Sequence, residues 1–265
     1  MKFSIIANNQ HSGIKKVLTK IIGLVDDFDL EEKTAKLINL KGNKIENLGG
    51  EIIISLGGDG TLLYLLSKIN KPAFGINCGG VGFLTEIEHS DDLFDAIRNL
   101  ENGKYTKQKL QRIDVYLNDL HVGTALNEVV LHSSRVAKIQ GFEISIDNTI
   151  VDSFRGDGVI FSTPTGSTSY AMSLGSPILY PTMKSNIIVP IAAYRIGTRP
   201  LVIPCKYDVT VKLTGNPEAV MVIDGQEEIM IKKEDEIKLC KSESPVELIR
   251  FSDNFFERVR TKLRL

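Results

Sequence analysis

The chain has no tryptophan, three cysteines, four histidines, almost no net charge and no long apolar run. Each shortage removes a class of protein. Cys78, Cys205 and Cys240 are odd in number and far apart, so they form neither a disulfide framework nor a metal-ligand spacing. Reduced thiols of this kind point to a cytoplasmic protein. His11, His89, His121 and His132 are scattered, so no zinc site and no histidine-based triad is expected. A net charge of −1 gives no reason to expect nucleic acid or a membrane as partner. No apolar stretch approaches the roughly 18 residues of a membrane span. The start, Met1 to Ala7, reads as a short strand and not a signal peptide, because Asn8-Asn9-Gln10-His11 follows at once. What remains is an ordinary globular composition, 42% hydrophobic and 25% charged, with length enough for one large domain or two modest ones.

One stretch carries more information than the rest. Glu51 to Ser67 reads EIIISLGGDGTLLYLLS: an apolar strand, a break at Gly57-Gly58-Asp59-Gly60, then an apolar helix. Strand, glycine turn and helix make the geometry of a phosphate-binding loop. Glycine lets the backbone approach a phosphate, and the helix N-terminus offers free N–H groups with partial positive charge. Asp59 is the odd member. A carboxylate repels phosphate unless it has another task, such as accepting a hydroxyl proton or holding magnesium. The plainer alternative is an Asp-Gly turn with Asp59 as helix N-cap.

Around this stretch the first hundred residues alternate strand and helix. Strands are expected over Lys2–Ala7, Lys33–Asn39, Ile52–Leu56 and Pro72–Asn77, and helices over Ile14–Leu24 and Asp91–Glu101. The last has Leu93, Phe94, Ile97 and Leu100 on one face. Alternation implies a parallel sheet covered by helices, with ligands bound at the glycine turns that end its strands; Cys78–Leu84 is a second such turn. After about Lys104 the pattern becomes short strands joined by turns, among them His121–Leu131, with one clear helix at Ser169–Leu174. The expected fold is an α/β N-terminal domain plus an all-β C-terminal domain. The expected limits are 1–104, 105–240, and a closing segment 241–265 that packs back on the first domain.

The β-rich half gathers polar chemistry in three places. Asn127-Glu128 interrupts the apolar run Ala125–Leu131; burying an unpaired carboxylate is costly, which favours a ligand role over an exposed strand mouth. Arg155-Gly156-Asp157-Gly158, by itself a hairpin turn, is followed by Ser162-Thr163-Pro164-Thr165-Gly166-Ser167-Thr168-Ser169-Tyr170. Seven of those nine residues carry hydroxyls, so the turn can present donors to phosphate or ribose oxygens. Asp224-Gly225-Gln226 ends another apolar strand and reads in isolation as a hairpin turn.

Taken in order, these motifs resemble the NAD kinase family, and they cover most of the chain. Gly57–Gly60 alone is shared with phosphofructokinases and diacylglycerol-type lipid kinases; the stretch Ser162–Tyr170 is far more specific. Ser169 stands where the family usually has alanine, a small-for-small change. The resemblance implies transfer of the γ-phosphoryl group of ATP to the 2′-hydroxyl of the adenosine ribose of NAD, with Asp59 as the base. It implies that Asp59, Gly60, Phe83, Asn127, Glu128, Lys138, Arg155, Asp157, Thr165, Thr168, Ser169, Tyr170, Ala171, Met172, Ser173, Ala192 and Gln226 bind NAD. Gly57, Gly58 and Asp224 would lie by the phosphate donor, ATP or polyphosphate, with Mg2+ or another divalent cation as cofactor. It also implies a homodimer or homotetramer with sites shared between subunits. A lipid or sugar kinase with the same glycine loop, and a non-catalytic dinucleotide sensor, are the alternatives.

Overall fold

Strand β1 (Phe3–Ala7) is buried along its whole length, as are β3 (Ile52–Gly57) and β4 (Ala73–Asn77). Strands covered on both faces read as unbroken apolar runs, the mark of a parallel sheet inside an α/β layer. In this computed structural model, which describes residues 1–195 and 197–263, those strands lie in one of two compact units. The first unit comprises Met1–Lys109 and Val246–Leu265; the second comprises Leu110–Pro245.

The sheet of the first unit adds β2 (Phe28–Leu30), β5 (Ile87–Glu88), β6 (Thr106–Leu110) and a C-terminal strand, Val246–Arg250. Its order is β2-β1-β3-β4, then Val246–Arg250, then β6, with β5 pairing with β4. From β1 the chain goes to β2 on one side and afterwards to β3 on the other. The switch point therefore lies at the carboxyl ends of β1 and β3, where ligands of such sheets bind. Helices α1 (Ile14–Ile22), α2 (Glu32–Lys36), α3 (Asp59–Lys68) and α4 (Leu93–Glu101) complete the unit. Leu18 and Ile21 of α1 and Leu93, Ile97 and Leu100 of α4 join Phe3, Ile5, Ile54 and Phe74 in its core.

Two local expectations change. Lys33–Asn39 is not a strand: α2 begins there because Glu31 caps it, accepting the Thr34 N–H at 2.9 Å. On α4, Ala96 takes the inward place expected of Phe94, which is half exposed with the Arg98 guanidinium 5.5 Å over its ring. The C-terminal residues Phe255–Leu263 form a helix; Arg264 and Leu265, part of the expected closing segment, lie outside the described residues, as does Ile196.

The second unit is built from antiparallel strands: β7 (Ile113–Leu117), β8 (Leu120–Ala125), β9 (Glu128–Ser133), β10 (Gln140–Ile146), β11 (Thr149–Gly156), β12 (Gly158–Ser162), β13 (Ser185–Ile191), β14 (Leu201–Pro204), β15 (Val209–Leu213), β16 (Glu218–Ile223), β17 (Glu227–Lys232) and β18 (Ile237–Lys241). They make two six-stranded sheets, β11-β10-β15-β18-β7-β8 and β14-β13-β12-β9-β16-β17. One core, including Val115, Phe142 and Val211 from the first sheet and Leu131, Phe161 and Met221 from the second, fills the space between them. The expected single strand His121–Leu131 is two strands, β8 and β9, broken at Leu126-Asn127. The expected helix Ser169–Leu174 is a 3₁₀ turn, Thr165–Thr168, followed by a short α5 (Tyr170–Ser173).

Candidate active site

In the first unit the glycine loop sits at the switch point. Gly57 ends β3 and Gly58 precedes α3, receiving the N–H groups of Thr61 and Leu62 at 3.0 and 3.4 Å. A side chain at Gly57 would run into the Thr61 side chain, so this close turn requires glycine. Gly60 is different: a Cβ there would meet nothing within 4 Å. Asp59 is the first residue of α3 and not its N-cap. Its carboxylate reaches across to the second glycine turn. Oδ2 accepts the N–H of Phe83 at 2.7 Å, and Oδ1 accepts those of Leu84 and Thr85 at 2.9 and 3.3 Å. A carboxylate offers about four lone-pair sites. Three are occupied, leaving one on Oδ2. Beside the loop, a cavity of about 480 Å³ opens over the end of β1; Asn8, Lys33, Lys44, Gly60, Thr61 and Tyr64 are among its lining residues.

The second unit repeats this arrangement with another aspartate. Asp224 turns the chain between β16 and β17 with φ 50°. Its Oδ2 accepts the Leu126 N–H at 2.7 Å, and its Oδ1 those of Asn127 and Glu128 at 2.7 and 3.0 Å. The bonds that a continuous strand would have sent to a neighbour go to Asp224, which explains the break before β9. Burial pushes the Asp224 carboxyl up, against the pull of these three N–H groups and of Arg112.

The hydroxyl-rich turn packs onto this break. Thr163 Oγ1 donates to the Leu126 carbonyl at 2.6 Å, and the Thr163 N–H to that of Asn127 at 2.9 Å. A Cβ on Gly166 would collide with the Asn127 carbonyl. Most of the hydroxyls are spent inside the fold and not offered to a ligand: Ser162 on the Thr163 carbonyl, Ser167 on Pro164, Thr168 on Thr165. Sequence could not separate these from the exception. Thr165 Oγ1 is buried without a partner, and so are Asn127 Oδ1 and Glu128 Oε2. The other Glu128 oxygen accepts the Ser169 hydroxyl at 3.0 Å. Burial raises the Glu128 carboxyl to about 7; the Ser169 hydroxyl opposes the rise and the neighbouring Asp224 adds to it. Orphaned buried polar atoms are expensive, and three of them around one turn are able to receive a polar ligand.

The remaining candidates are sorted by position. Ser169, Tyr170 and Ser173 lie on the same turn, with Met172 half-buried and Ala171 fully buried among Val130, Ile160 and Val189. Gln226 closes the Asp224 turn, its N–H on the Ile223 carbonyl at 2.9 Å. Arg155, Asp157 and Ala192 form a separate group. The Tyr194 N–H bonds the Arg155 carbonyl and the Asp157 N–H bonds the Ile191 carbonyl, just before Ala192. This group flanks Gly158, whereas the orphaned acceptors flank Ser162, at the other end of β12. At about 3.3 Å per residue the strand holds the two groups roughly 13 Å apart. Lys138 lies on the exposed loop between β9 and β10.

Sequence reasoning missed three residues beside Asp59. Arg250 and Arg258 are almost fully buried and both bond Glu86, at 3.0 and 2.8 Å. An arginine ending the run Val246–Ile249, apolar except for Glu247, was the available signal for the first.

A glycine loop at a parallel-sheet switch point, together with a β unit whose hydroxyl-rich turn surrounds unpaired acceptors, defines a nucleotide-handling enzyme. Comparison with known proteins gives the family. Residues 9–105 match the ATP-NAD kinase N-terminal domain, and residues 126–251 match the ATP-NAD kinase C-terminal domain. The chain is 40% identical to the NAD kinase of Methanosarcina mazei over 259 residues, 94% of this chain and 88% of that one. It is 34% identical to the NAD kinase of Thermoplasma acidophilum over 267 residues, 99% and 98% of the two chains. Among solved structures, an NAD kinase from Archaeoglobus fulgidus in complex with ATP has a TM-score of 0.81 at 29% identity, covering 100% of this chain and 99% of that one. Yeast NADH kinase complexed with NADH has a TM-score of 0.90 at 18% identity, covering 100% and 88%, a likeness of fold alone. The chain belongs to the NAD kinase family. It is an enzyme, a phosphotransferase with NAD kinase activity.

Proposed function

We propose that the chain makes NADP by moving the γ-phosphoryl group of ATP to the adenosine 2′-hydroxyl of NAD, with Asp59 as the base. The observation that carries this reading is the set of orphaned acceptors, Asn127 Oδ1, Glu128 Oε2 and Thr165 Oγ1. Adenosine carries the matching donors, an exocyclic amine and ribose hydroxyls. A sugar hydroxyl is a weak nucleophile at neutral pH, so a positioned base assists as its proton leaves. The fourth lone-pair site of Asp59 suits that task, since three N–H groups already fix the carboxylate's direction. The rest of the acceleration comes from positioning and charge neutralisation, and no covalent enzyme intermediate is required.

ATP as donor is supported by the Archaeoglobus relative, which was crystallised with it. Magnesium enters with ATP as part of the substrate, because it is usually held by donor phosphates and one or two carboxylates. Among the described residues no group of three His, Cys, Asp or Glu side chains gathers into a cation cage, and Asp59 and Asp224 are the carboxylates of the two Asp-Gly pairs. The dinucleotide set named from the sequence, and the placement of Gly57, Gly58 and Asp224 by the donor, are part of the same proposal. So is an oligomer with shared sites. Arg155, Asp157 and Ala192 stand at the opposite end of β12 from Asn127 and Glu128, a separation that suits service to a neighbouring subunit's site. The three free thiols, Cys78, Cys205 and Cys240, support a cytoplasmic setting; among the described residues no helix is long and apolar enough to cross a membrane.

The test is a coupled assay with NAD, ATP and magnesium, reading NADP with an NADP-specific dehydrogenase. Asp59→Asn is expected to lower kcat by roughly 10²–10⁴-fold, while NAD binding by calorimetry is largely kept. Product with polyphosphate and none with ATP would change the donor. Tight NAD binding with no product from either would favour a sensor.

A further inference from the structure

We infer that Arg250 and Arg258, balanced by Glu86, are positioning residues that hold Asp59 in its reactive orientation through the peptide units of Phe83, Leu84 and Thr85. The inference rests on the reading of Asp59 as the base. It begins with what each peptide of that turn does at its two ends. The N–H groups of Phe83, Leu84 and Thr85 all point at the Asp59 carboxylate. The carbonyls of the same residues point the other way, at two guanidinium groups. Arg250 Nη1 donates to the Leu84 and Thr85 carbonyls at 3.0 and 3.1 Å, and its Nη2 to that of Phe83 at 3.4 Å. Arg258 Nη1 donates to the Phe83 and Thr85 carbonyls at 2.9 and 2.6 Å.

Two peptide units, Phe83–Leu84 and Leu84–Thr85, are thus pinned at both ends, carbonyl to arginine and N–H to carboxylate. Hydrogen bonds in series polarise one another, so each N–H is a stronger donor to Asp59 for having its carbonyl charged at the far side. A guanidinium is a rigid planar fork that is always protonated, which suits holding several carbonyls at fixed angles. The two cations would repel one another without Glu86. Its Oε2 accepts from Arg250 Nη1 at 3.0 Å and from Arg258 Nη2 at 2.8 Å, and its Oε1 accepts the Phe251 N–H at 2.8 Å. Arg250 Nε is taken by Gln108 at 2.9 Å. Both terminal nitrogens of each guanidinium are therefore held.

The sequence logic is unusual. Asp59 stands on α3 and its grip on Phe83–Thr85, but the residues that fix that grip come from the C-terminal strand Val246–Arg250 and the C-terminal helix Phe255–Leu263, nearly two hundred positions later. Neither arginine hydrogen-bonds Asp59, although the Asp59 charge is felt at Arg250, so both act as positioning residues. Their main effect is on the angle at which the carboxylate is held, and an error of about 1 Å at a reacting group costs up to 100-fold in rate.

The experiment is a double-mutant cycle on the full-length enzyme. Arg258→Lys keeps a charge and loses the fork; Glu86→Gln keeps the shape and loses the charge. Each is expected to lower kcat roughly 10- to 100-fold while the KM for NAD stays within about twofold, the signature of an interaction felt in the transition state only. In an Asp59→Asn background neither is expected to lower kcat further, because the group they act through is gone. Thermal unfolding identifies folded variants, and Glu86→Gln decides if Arg258→Lys does not fold. Wild-type kcat in a folded variant, or an undiminished loss in the Asp59→Asn background, overturns the inference. Wild-type kcat in Asp59→Asn alone overturns the base reading instead, and the two failures are told apart by that single variant.

Discussion

In Glu128 burial and an unpaired oxygen meet in one side chain. The residue is 7% exposed, its carboxyl satisfied on one oxygen by Ser169 and orphaned on the other. Burial holds its pKa near 7 against an ordinary value of 4.5, with the Ser169 hydroxyl lowering it and Asp224 raising it. Between those values the folded, ligand-free protein binds more protons here than the unfolded chain does. Linkage then makes stability fall as pH rises through that window. The contribution is complete below about pH 4.5 and gone above about 7, a change on the order of 3 kcal/mol at 1.36 kcal/mol per pH unit. Urea unfolding of ligand-free wild type and Glu128→Gln at pH 5 and pH 8 checks it: the wild type is expected to lose more stability between the two pH values than the variant. A ligand donating to Oε2 favours the charged form, so NAD binding near pH 7 is expected to release protons. Calorimetry in buffers of different ionisation enthalpy reads that release, and a buffer-independent heat would remove Glu128 from the contact.

The two Asp-Gly turns, at Asp59 and Asp224, show the same device at the level of elements. In each a short acidic side chain closes on three successive N–H groups of a distant segment, Phe83–Thr85 in one unit and Leu126–Glu128 in the other. The glycines beside them do different work. Gly57 and Gly166 are demanded by the fold, since a Cβ would strike Thr61 or the Asn127 backbone. Gly60 is not, for it stands exposed in the first turn of α3 with open space around it. Glycine in a helix costs up to about 1 kcal/mol relative to alanine, so a ligand's close approach is the reason to keep it. Gly60→Ala is expected to melt at or above the wild-type temperature and yet to raise the KM for NAD or ATP. Gly166→Ala is expected to lose about 1–3 kcal/mol through overpacking. Unchanged kinetics in Gly60→Ala would detach that residue from the site. The glycine loops and the apolar strands were legible because their signals are local. Three other features were not. The strand Ser185–Ile191 carries Pro190, which argues against a strand interior. Within Lys33–Asn39, the residues Lys33–Lys36 are helical through a cap at Glu31, outside the stretch. The arginines behind Asp59 are joined to it only by tertiary folding, which no spacing announces.

For the whole molecule, the sorting of the proposed binding residues along β12 bears on assembly. A ligand resting on Asn127, Glu128 and Thr165 at the Ser162 end lies roughly 13 Å of strand, at about 3.3 Å per residue, from the Asp157 end. A residue at each end serves one ligand either when that ligand spans the strand or when a second copy supplies the other end, and in a two-fold dimer each copy would give and receive the same set. Complementation tests this directly. Asp59→Asn removes the base from a subunit's own site, and Asp157→Ala removes the group it lends to its neighbour. Alone, each variant is expected to be weak. Unfolded together and refolded as a mixture, about half of the dimers pair one variant with the other. In such a dimer one site carries both lesions and the other carries neither, so about one site in four of the whole mixture is restored. Activity that climbs toward a quarter of wild type on mixing, with size-exclusion showing dimers or larger, is the expected result. If Asp157 instead serves its own subunit's ligand, both sites of a mixed dimer keep one lesion each, and mixing changes nothing.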